Sequence, residues 1–347
     1  MSLCKRCRGV GLRAHPTIIA CPCASPNSME DRGAVAGLAA ALRFDGVFWR
    51  WLAYLGCAYG PDWWKRGSPP VIAAIIFAAV RRNRRGAMAN LQRTLDESDP
   101  RLLRRAAMRT FAEFAHCLTE TLESFGPAPP PVRIDPPPHD PISEALRAGR
   151  GVVLVTGHVG NWDLAAQTLP AYERPLNLVM AQEANATTSH HTQTIRARAG
   201  VRVIYSDRSV FSSLNMIHAL RDNEIIAIQL DRSAGAGGTR LVPFFGAPAP
   251  FPSGPFVLAR LAGAPILPIF FPRLGRRHYG VRFGARVTLP REARDGPALD
   301  RAMRAVVAEL EAVVREFPHQ WFQFAPFWPE GAARGSLSRI TWGRGLG

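Results

Sequence analysis

The chain has 347 residues, 47% hydrophobic and 20% charged, which allows a substantial core and excludes a disordered chain. Its longest dense apolar run, Val71–Val80, is ten residues, half of the roughly 20 that a spanning helix needs, so an ordinary spanning membrane protein is excluded too. The net charge of +16 suits a nucleic acid, an anionic membrane surface or an acidic carrier protein. All but Lys5 and Lys65 of the 43 cationic residues are arginines, however, a skew that genomic base composition also produces.

Residues 1–32 form an N-terminal extension, expected to be poorly ordered or mis-assigned. Cys4, Cys7, Cys21 and Cys23 could close a four-thiolate zinc site. The segment has little apolar content, and Met29 is an alternative start just before the first apolar stretch, so no metal is expected. Cys117 beside His116 reads as a helical core residue, not a nucleophile.

Residues 33–126 read as an N-terminal helical region that docks on a membrane. Gly33–Gly60 is rich in alanine, leucine and aromatics but interrupted by Arg43, Asp45 and Arg50, as an interfacial helix would be. Trp63, Trp64, Lys65 and Arg66, the run Val71–Val80 and the cluster Arg81, Arg82, Arg84 and Arg85 extend that edge. A packed helical subdomain with a solvated basic face explains them equally well. Between Leu102 and Phe125, Ala107, Phe111, Phe114, Leu118, Leu122 and Phe125 give one buried helical stripe. The proline-rich residues 127–141 break that helix and read as a linker.

Residues 142–330 alternate between strand-like and helical patterns, and 331–347 form a tail. Strands are expected at Val152–Val155, Leu176–Met180, Val201–Ile204, Glu224–Leu230, Pro265–Phe271 and Val281–Leu289. Helices are expected near Asp163–Leu169, Thr187–Ala199, Val210–Arg221, Ser253–Ala262 and Leu299–Phe317. The fold class is therefore α/β, a mostly parallel or mixed central sheet flanked by helices, with the helical membrane-associating region in front.

The chemistry centres on Val152–Asp163, VVLVTGHVGNWD. The apolar strand stops at Thr156-Gly157, and Gly160-Asn161 turns into a helix with Asn161 as its N-cap. His158 then lies in the turn and Asp163 in the first helical turn, where a carboxylate favoured by the helix dipole can reach back and hold the imidazole in one tautomer. Oxyanion donors are sought in the backbone amides of Gly160 and Asn161. The chain has no G-x-S-x-G elbow and no P-loop, the Gly235–Gly238 cluster is followed by Leu241-Val242-Pro243-Phe244-Phe245 instead of a helix, and His190-His191 lacks partners at metal-ligand spacing. What remains is a base without a protein nucleophile, suited to a reaction whose substrate supplies the attacking hydroxyl.

Gly157-His158-Val159-Gly160-Asn161-Trp162-Asp163 resembles the H-x4-D motif of the lysophospholipid acyltransferase superfamily, in the form typical of bacterial lipid A (Kdo-dependent lauroyl or myristoyl) and phosphatidylinositol mannoside acyltransferases. The resemblance continues through Gln229-Leu230-Asp231-Arg232, Pro243-Phe244-Phe245-Gly246, Phe251-Pro252-Ser253-Gly254-Pro255, Ala259–Pro265 and Gln320-Trp321, in consistent order over residues 44–329. It implies His158 as general base, Asp163 as its orienting partner and Asp231 as a further acid of the site. Arg232, next to it, could hold the donor's or the acceptor's phosphate, or else form one half of an ordinary loop ion pair, and the resemblance puts Ser253 and Gly254 in the substrate-binding block. Ser253 stands where glycerolipid enzymes carry glutamate, which points to the lipid A-like branch. Phe244 and Phe245 line an acyl groove or belong to the core.

The resemblance further implies an O-acyltransferase without cofactor, taking its chain from acyl carrier protein or coenzyme A to a lipid or glycolipid such as a lipid A precursor. It would bind no nucleic acid and sit on an anionic membrane surface, peripheral to the cytoplasmic face of the inner membrane. An acyltransferase of an aminolipid or of a phosphatidylinositol mannoside, or a non-catalytic lipid- or carrier-binding homologue, remains the alternative.

Overall fold

The computed structural model describes residues 47–166, 172–180, 201–205, 210–232, 238–291, 296–329 and 331–332. The four N-terminal cysteines, the first half of Gly33–Gly60, the expected helix Thr187–Ala199 and most of the C-terminal tail lie outside the described residues. The chain divides after Arg50 into two units, and the architecture below belongs to the second, from Trp51 onward. Of the first unit only Val47–Arg50 are described, as the opening of a helix.

Apolar, largely β-branched runs make the centre of the fold, because a strand covered on both faces by helices has no polar side to present. Six strands form one sheet in the order β11-β8-β2-β5-β3-β4. These are β2 (Val152–Thr156), β3 (Leu176–Met180), β4 (Val201–Tyr205), β5 (Ile225–Gln229), β8 (Ile266–Phe270) and the short β11 (Arg282–Phe283). All pairings are parallel except that of β11 on β8. The mixed, mostly parallel sheet is thus as expected, with five of its six strands near the expected bounds. The sixth is shorter: of the expected Val281–Leu289 only Arg282–Phe283 is strand, with a single further bridge from Val287 to Ile266.

Helices α5 (Pro141–Leu146), α6 (Trp162–Ala166), α7 (Val210–Arg221), α8 (Gly254–Ala262) and α9 (Gly296–Glu316) accompany the sheet. The amphipathic α9 buries Met303, Val306, Val307, Leu310 and Val314 in the cluster that holds Val153, Val155 and Ile226. Val152, Leu154 and Ile225 go to a second cluster with α5 and α6, as the period-two alternation of a strand requires. Full burial of such side chains stabilises by about 1.5–3 kcal/mol each.

Preceding the sheet in the chain are α1 (Val47–Ala58), α2 (Asp62–Ala79), α3 (Arg81–Thr94) and α4 (Pro100–Ser124). Asp99 caps α4 by accepting from the Arg101 amide at 2.8 Å, with Pro100 in the first turn where its missing N–H costs nothing. Asn90 of α3 donates to the carbonyls of Gln323 and Ala325, and Phe111 of α4 meets Phe324 edge-on, fastening these helices to the end of the core.

Three features departed from sequence expectation. The proline-rich stretch carries a strand, β1 (Arg133–Asp135), paired parallel with β10 (His278–Gly280), so it does more than link two regions. Strand β9 (Arg273–Gly275) completes that small sheet. Thr239–Phe244 and Ala247–Pro252 form a hairpin, β6–β7, in spite of Pro243, Pro248, Pro250 and Pro252. A two-stranded ribbon consists only of edges, so a missing N–H on its outer side is tolerated. Its two-residue turn, Phe245-Gly246, has positive φ at both positions, +50° and +72°, the requirement of the turn type that matches strand twist.

Candidate active site

The parallel register builds the site. Thr156 of β2 stands opposite Gln229 of β5, so the residues two positions beyond, His158 and Asp231, emerge side by side at the carboxyl ends of neighbouring strands. His158 Nδ1 and Asp231 Oδ1 are 2.7 Å apart, and the His158 amide donates to Asp231 Oδ2 at 2.7 Å. Trp321 Nε1 donates to the same Oδ2 at 2.9 Å. Burial would push the Asp231 carboxyl up, but the neighbouring imidazole, by its charge and its hydrogen bond, the His158 amide and the indole N–H hold it below the usual carboxylate value.

This corrects the expected orienting residue. Asp163 lies in the first turn of α6 as anticipated and is half-buried, yet Nδ1 of the imidazole is met by Asp231. An ionised carboxylate can only accept, so in the neutral ring it selects the tautomer with the proton on Nδ1, the one that leaves the Nε2 lone pair to act as a base.

The backbone around His158 is fully engaged. The His158 carbonyl accepts from the Phe322 amide at 2.8 Å, the Gly160 amide donates to the Gln320 carbonyl at 3.0 Å, and the Asn161 amide donates to the Phe271 carbonyl at 3.0 Å. The turn is therefore rigid before any substrate arrives, but the Gly160 and Asn161 amides are spent. The expectation that they stabilise an oxyanion is overturned by those two bonds.

Gly160 has φ +64°, and a Cβ there would lie 2.0 Å from the Phe271 carbonyl oxygen. Only glycine allows that approach.

Asn161 is the N-cap that the sequence suggested. Its Oδ1 accepts from the Leu164 amide at 3.2 Å and from Thr121 Oγ at 2.8 Å. Its Nδ2 donates to the Cys117 carbonyl at 3.1 Å and to Tyr279 Oη at 3.0 Å. Trp162 places its ring 4.8 Å from the imidazole, edge-on, and 6.2 Å from Phe322.

The other expected residues divide. Arg232 follows Asp231 directly and is exposed. Ser253 is buried, its hydroxyl donating to the Gly238 carbonyl at 3.3 Å, and Gly254 opens α8. Phe244 and Phe245 are core: both are buried within an aromatic cluster with Phe251, Trp321, Phe327 and Trp328. Phe245 is pinned in its left-handed turn position, its amide donating to Glu311 Oε2 at 2.6 Å and Arg315 stacking 4.6 Å over its ring. Cys117 is a buried residue of α4, as expected, its thiol pushed well up by burial and by nearby Glu120.

Sequence reasoning gave no role to Trp321, Gln323, Glu120, Thr121 and Tyr279. Gln323 Nε2 donates to the Asp231 carbonyl, and Trp321 carries one face of the aromatic cluster up to that carboxylate. The available signal was a polar pair, Gln320 and Gln323, within an aromatic tail following α9, where apolar residues alone would have sufficed for packing.

Among the described residues no group of His, Cys, Asp and Glu could hold a metal ion, and no helix is long and apolar enough to cross a membrane.

A family model described as bacterial lipid A biosynthesis acyltransferase matches residues 50–329. A phosphatidylinositol mannoside acyltransferase of Mycolicibacterium smegmatis is 28% identical over 192 residues, 54% of this chain and 60% of that relative. Another of the same description, from Mycobacterium tuberculosis, is 29% identical over 199 residues, 54% of this chain and 58% of that relative. The chain thus matches less than two thirds of the length of these relatives.

Proposed function

The chain belongs to the bacterial lipid A biosynthesis acyltransferase family, and from that premise we propose that it transfers a fatty acyl chain from a thioester to a hydroxyl of a glycolipid. The observation that carries this is the buried His158–Asp231 pair. His158 Nε2 takes the proton of the acceptor hydroxyl, whose oxygen attacks the thioester carbonyl. When the tetrahedral adduct collapses, the C–S bond breaks and the departing sulfur receives that proton from the imidazolium. The products are an acyl ester and a free thiol, and the enzyme is unchanged. Asp231 stabilises the transient imidazolium where little water reaches it.

Two names support a glycolipid acceptor. Lipid A precursors and phosphatidylinositol mannosides are both membrane glycolipids with sugar hydroxyls and phosphates, and exposed Arg232 suits the phosphate. The donor is a thioester of acyl carrier protein or coenzyme A. A lipid profile of a deletion strain tests the acceptor. Loss of one acyl mass from a glycolipid is the expected result, and an unchanged glycolipid fraction would contradict it.

The proposed location is peripheral, on the cytoplasmic face of the inner membrane, and α2 supports it. Beyond Arg66 its exposed positions, among them Val71, Ile72 and Ile75, carry no charge, and Val71 and Ile75 are 60% and 59% exposed. Trp63, 72% exposed, stands at one end and Arg81 and Arg82 follow the other. An uncharged exposed helix face rimmed by tryptophan and arginine matches a bilayer surface. Arg84 is occupied elsewhere, donating to the carbonyls of Phe77 and Ala78 and stacking on Phe77.

Substituting Val71→Glu and Ile75→Glu together should abolish most binding to phosphatidylglycerol-containing vesicles, and Arg81→Gln with Arg82→Gln should weaken it in a salt-dependent manner. Sedimentation with vesicles measures both. Unchanged affinity in the glutamate pair would remove α2 as the docking face.

A further inference from the structure

Behind the His158 turn, between α4 and β10, lies a line of polar groups that the reaction itself does not use. Glu120, Thr121, Asn161 and Tyr279 are 6%, 6%, 3% and 1% exposed. Arg273 donates from Nε and Nη2 to Glu120 Oε1 at 3.0 and 2.9 Å. Tyr279 donates its hydroxyl proton to Glu120 Oε2. Asn161 Nδ2 donates to Tyr279 Oη, and Asn161 Oδ1 receives Thr121 and the Leu164 amide.

The direction of every proton in this line is forced. A carboxylate paired with Arg273 can only accept, so the tyrosine hydroxyl must point at it. The phenol oxygen then presents lone pairs to Asn161, which must turn its NH2 that way and its carbonyl oxygen toward Leu164. Burial, and then the nearby Cys117 and Glu120, raise the Tyr279 phenol far above its ordinary value, so it stays a donor. Apolar side chains of equal volume would pack this interface at no greater cost, since burying charged and polar groups is expensive even when they are paired.

We propose that Glu120 and Tyr279 are positioning residues: their hydrogen-bond order, together with the Cys117 carbonyl that takes the other Nδ2 proton, fixes the Asn161 amide as the cap of α6 and, through it, the turn that carries His158. The charge that orients the base's helix thus comes from Arg273 and Glu120, outside the reacting groups. This inference rests on the acyltransferase reading.

Glu120→Gln tests it with almost no change of volume, because a glutamine can donate to the phenol and let the order reverse. Both Glu120→Gln and Tyr279→Phe should lower kcat about tenfold, with KM for donor and acceptor within twofold. Cutting one line twice should cost no more than cutting it once, so the double variant should also show about a tenfold loss, against about a hundredfold if the two act independently. Wild-type kcat in both single variants, a multiplicative double, or losses that follow the folded fraction seen by circular dichroism would overturn the proposal. Should Tyr279→Phe fail to fold, the kcat and KM of Glu120→Gln decide alone. His158→Ala in the same assay separates the two failures. Full activity there sinks the acyltransferase reading, whereas an inactive His158→Ala beside two fully active relay variants sinks only the relay.

Discussion

Asp231→Asn is expected to lower acyl transfer by about 10²–10⁴, close to the loss from removing the base itself. Oδ2 of Asp231 accepts from two fixed donors, the His158 amide and Trp321 Nε1, so an asparagine must keep its oxygen there. Its NH2 then faces Nδ1 of the imidazole. That ring nitrogen becomes an acceptor, the proton moves to Nε2, and the nitrogen that should take the acceptor's proton already holds one. The wrong tautomer, not a lost contact, removes the activity. Asp163→Asn should cost markedly less, because Asp163 does not hold Nδ1. Equal losses in the two variants, or a larger one at Asp163, would reassign the orienting role.

The pH sign follows from the same carboxylate. Its folded-state pKa is lowered from the ordinary value of about 3.9, so its contribution to stability is full above that value and disappears as pH falls through the lower folded one. Asp231→Asn should therefore destabilise more at pH 7 than at pH 3, as chemical denaturation at the two pH values would measure.

Gly160→Ala should be the most damaging glycine-to-alanine change among the described residues. A Cβ at position 160 would lie 2.0 Å from the Phe271 carbonyl oxygen, 2.6 Å from its carbon and 2.9 Å from the Pro272 Cα. All three are backbone atoms, so no side-chain rotation relieves the clash. The residue would also be strained at φ +64°. Opening the contact breaks the Asn161–Phe271 and Gly160–Gln320 backbone bonds that hold the turn. A cost on the order of 3 kcal/mol is expected, with Tm lowered by roughly 6–12 °C and activity lost along with the turn. Wild-type Tm and turnover would contradict this description of the turn.

The sheet was legible because its central strands are covered on both faces, and continuous apolar runs such as Val152–Val155 have few other readings. The turn at His158 and the cap at Asn161 were legible for local reasons of glycine and asparagine chemistry. The partner of His158 was not. Spacing drew attention to Asp163, five residues away, whereas Asp231 is brought in by the parallel register of β2 on β5, a pairing that neither segment announces. The β6–β7 hairpin was hidden by four prolines that a central strand would not tolerate. Groove and core stayed equally open for Phe245 in the sequence, because nothing local marks a phenylalanine held at positive φ by Glu311 and Arg315 on a distant helix. The polar line from Arg273 to Asn161 joins residues up to 159 apart, and only the folded chain assembles it.

The most direct measurement incubates the purified full chain with a labelled acyl thioester and a membrane lipid extract, and analyses both thiol release and lipid products, for the wild-type protein and His158→Ala. The wild type should form an acyl ester of a glycolipid with one thiol released per ester, and His158→Ala should lose that activity by about 10²–10⁴. Undiminished ester formation by His158→Ala, or free fatty acid as the sole product of the wild type, would contradict the account.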